Sequence, residues 1–166
     1  LTLVGQSTLE TLIMVLLSTV FSLILGFPSG VLLYITNQNG IIPHPVFNQI
    51  LSRIINALRS FPFLILMIVL FPLSRLILGT SIGTTATIIP LSIAAAPFVA
   101  RIIETSLNEV DPGVIQAAKA MGSTNWQIIT KVLIPESMPS IISGITLTII
   151  NLIGYSAMAG TIGGGG

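Results

Sequence analysis

Long apolar stretches separated by short polar ones are the dominant pattern of this chain. Residues 11–52 contain no Asp, Glu, Lys or Arg, and within them residues 12–35 form a mostly apolar run of 24 positions. A helix needs about 20 such residues to cross the hydrocarbon core of a membrane. Further apolar runs predict three more spans, at residues 61–73, 84–100 and 139–159. The pattern therefore predicts an all-α, polytopic membrane protein with four spans in this chain.

The segment between the first two spans predicts a loop followed by an amphipathic helix. Residues 37–45 (NQNGIIPHP) are rich in turn formers, and His44 lies between prolines there, so we expect it to have a structural or incidental role. Residues 47–58 are amphipathic. Arg59 and Arg75 flank the second span, and 16 residues of helix measure about 24 Å. We therefore expect their guanidinium groups to extend toward opposite headgroup regions.

Small residues and prolines interrupt two of the predicted spans. Gly26, Pro28 and Gly30 lie together in the first span, and Pro90 and Pro97 lie two turns apart in the third. Small residues at four-residue spacing allow helices to approach closely, and proline bends a helix. We expect these positions to serve helix packing rather than chemistry.

Residues 111–135 form the longest segment that resembles neither a span nor a disordered tail. Asp111 followed by Pro112 is typical of a helix start, because the carboxylate caps free N–H groups and proline is well tolerated at the first helical position. Good helix formers then continue to Gly122, the residue type most common just after a helix end. The pattern predicts a short helix that ends at Gly122.

A second short helix is predicted directly after this glycine. Thr124 and Gln127 have the spacing of a capping box, and the apolar run that follows is expected to end at Pro135 because proline lacks an N–H donor. The two helices would form a glycine elbow. An interfacial hairpin is the alternative interpretation. DNA binding is excluded, since only Lys119 and Lys131 could meet phosphates.

Small and polar residues recur at helical spacing in the fourth span, at Gly144, Thr148, Asn151 and Tyr155. Such a stripe does not favour lipid. It indicates either the lining of a substrate pathway or a packing seam in which Asn151 is hydrogen-bonded to a neighbouring helix. Both interpretations hold if the seam is a dimer interface that encloses the pathway.

Composition supports a membrane location and excludes several kinds of site. Hydrophobic residues make up 52% of the chain and charged residues 7%, with a mean hydropathy of +1.01. A soluble domain has about 25% charged residues. The chain has no cysteine and one histidine, which excludes disulfides, thiolate chemistry and cysteine or polyhistidine metal sites. We expect no metal and no cofactor.

The chain offers no nucleotide-binding loop and no catalytic set. Neither lysine follows a glycine, as a phosphate-binding loop requires, because Ala118 precedes Lys119 and Thr130 precedes Lys131. The terminal glycine run lacks the strand and helix of a nucleotide fingerprint. All acidic residues lie near span boundaries, so no catalytic residue is expected. If transport is driven by ATP, a partner subunit must hydrolyse it.

The elbow resembles a known signature. The residues QAA, three further positions, a glycine, nine positions and then VLIP are similar to the EAA motif of permease subunits in bacterial ABC importers. Gln116 stands where that family usually has glutamate. The resemblance implies a cytoplasmic coupling element that docks on a separate ATPase subunit, formed in this chain by Gln116, Ala117, Ala118, Gly122 and Pro135.

Four other stretches resemble the methionine-uptake branch of these permeases, at residues 59–67, 79–83, 95–101 and 152–160. The resemblance implies a homodimer in the bacterial inner (cytoplasmic) membrane, with ABC ATPase subunits, a substrate-binding lipoprotein and no nucleic acid. It implies import of methionine of either stereochemistry by alternating access. A permease for another small polar solute, and a passive channel or anchoring subunit, are the alternatives.

The resemblance also implies boundaries. Residues 1–166 would form one permease domain with 111–135 as its coupling segment, and a fifth span would follow Gly166, so we expect the chain to be cut short there. The start has no Met and no basic region, so it is expected to be trimmed rather than to carry a cleaved signal.

Basic residues predict the orientation. With the elbow in the cytoplasm, only Arg75 lies outside, which supports an external N-terminus. Arg101 and Glu104 have the spacing of an ion pair that would hold a helix end. The basic residues at the inner side are Arg53, Arg59, Arg101, Lys119 and Lys131.

Overall fold

All regular structure in the described part of the chain is helical. The computed structural model describes residues 2–79 and 83–160. The helical elements of these residues confirm the all-α prediction. The elements are α1 (Thr2–Ile35), α2 (Pro45–Ser60), α3 (Phe63–Leu78), α4 (Thr84–Asn108), α5 (Pro112–Ala120), α6 (Asn125–Gln127), a π-helical segment (Ile128–Leu133) and α7 (Ile134–Ala159).

Helix α4 is the centre of the bundle, since α1, α2, α3 and α7 all pack against it. Its closest neighbour is α1. A Cβ atom added at Gly30 would lie 2.6 Å from the carbonyl oxygen of Ala100, and one at Gly26 would lie 2.7 Å from that of Ala96. The predicted use of these glycines for close packing is therefore confirmed. Both helices continue through their prolines, which lie at Pro28, Pro90 and Pro97.

Three helical segments are long and apolar enough to cross a membrane: α1, α4 and the stretch Asn125–Met158. Helices α2 and α3 qualify only as a pair, and the pair is bent by 109°. The described chain thus has three spans, or four if the bent pair counts as one broken span. The first span is longer than predicted, because α1 begins ten residues before position 12.

The bend between α2 and α3 corrects the prediction for the second span. A continuous helix from Arg59 to Arg75 is wrong, so the separation of about 24 Å calculated for it does not apply. Phe61 (φ −77°, ψ 134°) and Pro62 (φ −57°, ψ 143°) have extended backbones. A proline disfavours the helical conformation of the residue before it, which breaks the helix at Phe61.

His44 caps the start of α2, in agreement with the structural role predicted for it. Its Nδ1 atom accepts a hydrogen bond of 3.1 Å from the backbone N–H of Phe47. Asn48 in the first turn donates to the carbonyl oxygen of Leu33 (2.8 Å) and to Oγ1 of Thr36 (3.2 Å). These bonds fix the beginning of α2 against the end of α1.

The elbow has the caps that the sequence predicts. The carboxylate of Asp111 accepts from the N–H of Gly113 at 2.9 Å and starts α5. The helix ends at Ala120, and Gly122 follows with a left-handed φ of +84°. Thr124 and Gln127 then form a reciprocal capping box, with hydrogen bonds of 3.2 and 2.9 Å. The predicted start of the second helix is confirmed.

The predicted end of that second helix is wrong. Instead of stopping at Pro135, the chain continues through the π-helical segment into α7 as one helical stretch of 34 residues from Asn125 to Met158. In the π segment the hydrogen bonds reach one residue further back, as the bond from Ile134 N–H to Ile129 carbonyl illustrates. Pro135 lies just after the π segment, whose shifted hydrogen-bond register accommodates its missing donor, and Pro139 lies inside α7 rather than opening a separate span.

Candidate functional site

The stripe predicted in the fourth span lies on α7, mostly along α4. Gly144 and Thr148 are buried, whereas Asn151 and Tyr155 are exposed. A Cβ atom at Gly144 would overlap Cγ2 of Ile102, so only glycine allows α7 to approach α4 this closely. The stripe is therefore a packing contact at the end nearer the elbow and an open surface at its other end.

A cavity of about 150 Å³ lies at the open end of the stripe. Thr148, Asn151 and Tyr155 line it on the α7 side, and the Tyr155 ring stacks on Phe63 with a centroid distance of 4.4 Å. The side chain of Asn151 makes no hydrogen bond within the described part of this chain. The α2–α3 break closes the opposite wall, with Arg59 and other residues of the break among the lining.

A second cavity of about 290 Å³ continues from the first toward the elbow. It contains Gly144 and two serines of α7, and Oγ of Ser140 lies 2.9 Å from Oγ of Ser106 on α4. Arg59 and Phe98 line both cavities, so the two form one groove between α4, α7 and the α2–α3 break. Sequence reasoning missed Ser140, although it continues the stripe by one helical turn before Gly144.

Arg101 connects α4 to α2 beside this groove. Its Nη1 atom pairs with Oε1 of Glu104 at 3.0 Å, which confirms the predicted ion pair. Its Nη2 atom donates to Oγ of Ser52 at 2.7 Å and to Oδ1 of Asn56 at 2.8 Å. The guanidinium group thus links α2 to α4 through Nη2 and pairs within α4 through Nη1. The sequence predicted the ion pair but not the link to α2.

The elbow residues differ in how they are placed. Ala118 is 3% exposed and packs in a core cluster with Ile128 and Leu133 of the π segment. Gln116 and Ala117 face outward on the same short helix. Gln116 also lines a polar cavity of about 430 Å³ between the elbow and the α1–α2 loop. One residue of the QAA triplet therefore anchors the elbow and two remain accessible.

The other two elbow positions, Gly122 and Pro135, are exposed. Two large apolar side chains near this glycine are exposed as well, since Met121 is 80% and Trp126 is 72% accessible. Large apolar side chains exposed beside a turn are typical of a surface that meets a partner. Sequence analysis did not single out either residue. The sequence feature that could have indicated this surface is the one tryptophan of the chain, which lies four residues after Gly122.

No metal site is found in residues 2–79 and 83–160, where no three His, Cys, Asp or Glu side chains come together. The stretch at residues 79–83 that resembles the methionine-uptake branch lies partly outside the described residues. The glycine run after Gly160 lies wholly outside them.

Residues 26–166 match a protein family described as "Binding-protein-dependent transport system inner membrane component". A probable D-methionine transport system permease protein MetI from Pasteurella multocida is 54% identical over 164 residues, which cover 99% of this chain and 76% of that protein. The D-methionine transport system permease protein MetI of Escherichia coli is 47% identical over 151 residues, covering 91% and 70%.

Solved structures are similar over the same length. An inward-facing conformation of the MetNI methionine ABC transporter contains a chain that superposes with a TM-score of 0.98 at 45% identity, covering 100% of this chain and 77% of that one. An amino acid ABC transporter solved with histidines matches with a TM-score of 0.72 at 23% identity, covering 93% and 69%. The second likeness concerns the fold alone.

Proposed function

Because this chain belongs to the family of binding-protein-dependent transport system inner membrane components, we propose that it is the permease subunit that carries methionine into the cytoplasm in an ATP-driven importer. The substrate assignment rests on relatives at 54% and 47% identity that are named as D-methionine permeases. Methionine of either stereochemistry fits this assignment. The chain itself is a transport subunit and not an enzyme.

The complete transporter contains two copies of this permease, ABC ATPase subunits and a substrate-binding lipoprotein, in a bacterial inner membrane. The similarity to a chain of a methionine ABC transporter, with a TM-score of 0.98, supports this assembly. The chain has no glycine-lysine pair for a phosphate-binding loop, so ATP is hydrolysed by the partner. Residues 1–166 act as one permease domain, with residues 111–135 as its coupling segment.

The observation that carries this proposal is the shape and polarity of the elbow. Its backbone turns at Gly122 with φ +84°, and Met121 and Trp126 expose 80% and 72% of their surface beside that turn. A compact apolar knob of this kind fits a groove on a second protein. In this proposal the elbow is cytoplasmic and docks on the ATPase subunit.

Five residues have coupling roles in this proposal. Ala118 holds the elbow on the π segment, so a force on the knob reaches α7. Gln116 and Ala117 offer their exposed side chains to the ATPase, and Gly122 supplies the turn. Pro135, at the junction of the π segment and α7, passes the motion to the span that carries the stripe.

The substrate passes along the groove between α4 and α7. Gly144, Thr148, Asn151 and Tyr155 line its two cavities, and the last three add polar groups to a wall of apolar, hydroxyl and arginine side chains. Closure of the ATPase subunits moves the elbow, and the groove then opens alternately to each side of the membrane. This alternating access requires binding and motion but no covalent step.

The test uses the full-length permease, reconstituted with its ATPase and binding protein in proteoliposomes. We expect methionine to accumulate against its gradient only when ATP is supplied. Replacing Trp126 with alanine should reduce co-purification of the ATPase and uptake together. Leu76→Ala is the matched control, because Leu76 is 83% exposed on α3, away from the elbow, and both readouts should stay unchanged.

Two results would contradict the proposal. Methionine that equilibrates without ATP would indicate a passive channel, and stronger uptake of another small polar solute would replace methionine as the substrate. If Trp126→Ala leaves ATPase binding intact while uptake persists, the elbow is an interfacial hairpin and the coupling assignment is wrong.

A further inference from the structure

Arg59 lies in the last turn of α2, next to the α2–α3 break, and its side chain is exposed toward the groove. It lines the groove opposite Ala94 and Phe98, which are positions 10 and 14 residues after the start of α4 at Thr84. At 1.5 Å per residue, this part of α4 is about 15 to 21 Å from either end of the helix. The sequence placed Arg59 at the inner boundary, whereas in the fold it lines a groove that runs from the middle of α4 at Ala94 toward the end of this helix at Ser106.

The guanidinium group of Arg59 has no partner in the described part of the chain. No carboxylate pairs with it, and it makes no hydrogen bond there. Arg101, the other arginine of the groove, is by contrast held by Glu104, Ser52 and Asn56. A charged side chain within a membrane domain is costly, and such residues typically mark a substrate or ion pathway.

The groove itself selects for an anionic ligand. Among the described residues, neither cavity is lined by an Asp or Glu, so nothing competes for Arg59 and nothing repels a carboxylate. Guanidinium binds carboxylate through two parallel hydrogen bonds, a geometry that lysine does not reproduce. Asn151 adds an amide across the cavity, and Phe61 and Phe98 add aromatic surface, which makes favourable contacts with a thioether sulfur.

We propose that Arg59 binds the α-carboxylate of the transported amino acid while it passes through the groove. This inference rests on the proposed function and adds a specificity-determining residue to it. The permease would then recognise the one group that all free amino acids share, and the apolar wall would accommodate the side chain. Derivatives that lack the carboxylate, such as methioninamide, would not be held there.

The test is a protection assay on the full-length permease assembled with its ATPase. The 166 residues contain no cysteine, so Ala94→Cys introduces a single reporter thiol into this part of the protein, beside Arg59. A small thiol reagent labels the permease band at a rate that bound methionine should reduce. The concentration of methionine that halves the labelling rate measures occupancy of the cavity.

We expect Arg59→Gln to raise this concentration by about tenfold or more, the loss typical of a hydrogen-bonded charge. Arg59→Lys, which keeps the charge, should raise it by a smaller factor. Arg53→Gln is the matched control, since Arg53 is another exposed arginine of the same helix but does not line the groove. In this variant methionine should halve the labelling rate at the same concentration as in the parent. Methioninamide should not protect the parent protein.

The proposal is overturned if Arg59→Gln and the parent are protected at the same concentration, or if methioninamide protects as well as methionine. The second comparison needs no arginine variant, so a folding defect cannot obscure it. Absence of protection in the parent at any methionine concentration also overturns it. ATP-dependent uptake by the unsubstituted permease is measured in parallel. If the unsubstituted permease shows no ATP-dependent uptake, the proposed function is refuted. If its uptake is normal but Arg59→Gln is protected at the same methionine concentration as the parent, only the role of Arg59 is refuted.

Discussion

The contact between Gly144 and Ile102 provides a sharp test of how α7 is seated on α4. A methyl group at Gly144 would overlap Cγ2 of Ile102, but it would lie 3.4 Å from Cβ and 3.5 Å from Cδ1, which are ordinary distances. Only one methyl group of the isoleucine therefore stands in the way. We expect Gly144→Ala to destabilise the permease, and Ile102→Ala in the same molecule to relieve the effect.

The magnitude follows from two opposing terms. Overpacking by a methyl group costs about 1–3 kcal/mol. Alanine in a helix interior is favoured over glycine by about 0.5–1 kcal/mol. The net loss for Gly144→Ala is thus of order 1 kcal/mol, which lowers Tm by about 2–4 °C for a chain of this size. Residues in direct contact show coupling energies of about 0.5–3 kcal/mol, so the double variant should be less destabilised than the two single losses combined.

The assay is thermal unfolding of the full-length permease in detergent, followed by size-exclusion chromatography of the fraction that remains folded. Gly154→Ala is the control for helix propensity, because a Cβ there meets nothing within 4 Å. Gly30→Ala is the control for the rescue by a second substitution. Its Cβ would meet the backbone oxygen of Ala100 at 2.6 Å, and truncating a neighbouring side chain does not remove that atom, so the loss of stability should persist. The reasoning is refuted if the losses of Gly144→Ala and Ile102→Ala are simply additive, or if Gly144→Ala behaves like Gly154→Ala.

Three further substitutions test the elbow and the link between α2 and α4. Gly122→Val should impose a strain of about 1–3 kcal/mol on the left-handed backbone and abolish co-purification of the ATPase. Asparagine tolerates this conformation, so Gly122→Asn should retain ATPase binding. Equal ATPase binding by the two variants would contradict the prediction. Thr124→Ala should remove the capping box at a cost of about 1 kcal/mol and accelerate amide exchange in the first turn of α6; unchanged exchange would refute this role. Arg101→Ala leaves Glu104 without its partner and should cost about 1–3 kcal/mol in thermal stability, with Arg53→Ala unaffected; equal Tm values for the two variants would show that the link is unimportant.

Features set by neighbouring residues could be predicted from the sequence. The Asp111 cap, the left-handed Gly122 and the Thr124–Gln127 capping box each depend on atoms within three or four positions, and all are confirmed. The same holds for the ion pair of Arg101, which forms within one helical turn.

Features that depend on how helices meet could not be predicted in this way. The apolar run after Arg59 has the composition of a continuous span, but the extended backbone at Phe61 and Pro62 turns the chain by 109° and places Arg59 in the groove along α4. Pro135 has the opposite effect. It suggests a helix end in the sequence, yet the π segment before it changes the hydrogen-bond register and lets the helix continue. Neither register nor depth is encoded by local residue preferences.

The uninterrupted course of the chain from the elbow through the π segment into α7 makes this stretch a mechanical lever. Leu133, which is fully buried, lies near the elbow end and is suited to be the pivot. The arm beyond it, Ile134–Ala159, has 26 residues and a length of about 39 Å. A tilt of about 10° at the elbow would then displace the far end of an arm of this length by about 7 Å, provided that no bending at Pro139 absorbs it. In the proposed coupling, a modest movement of the elbow is thereby amplified into a displacement comparable to the width of an amino-acid side chain.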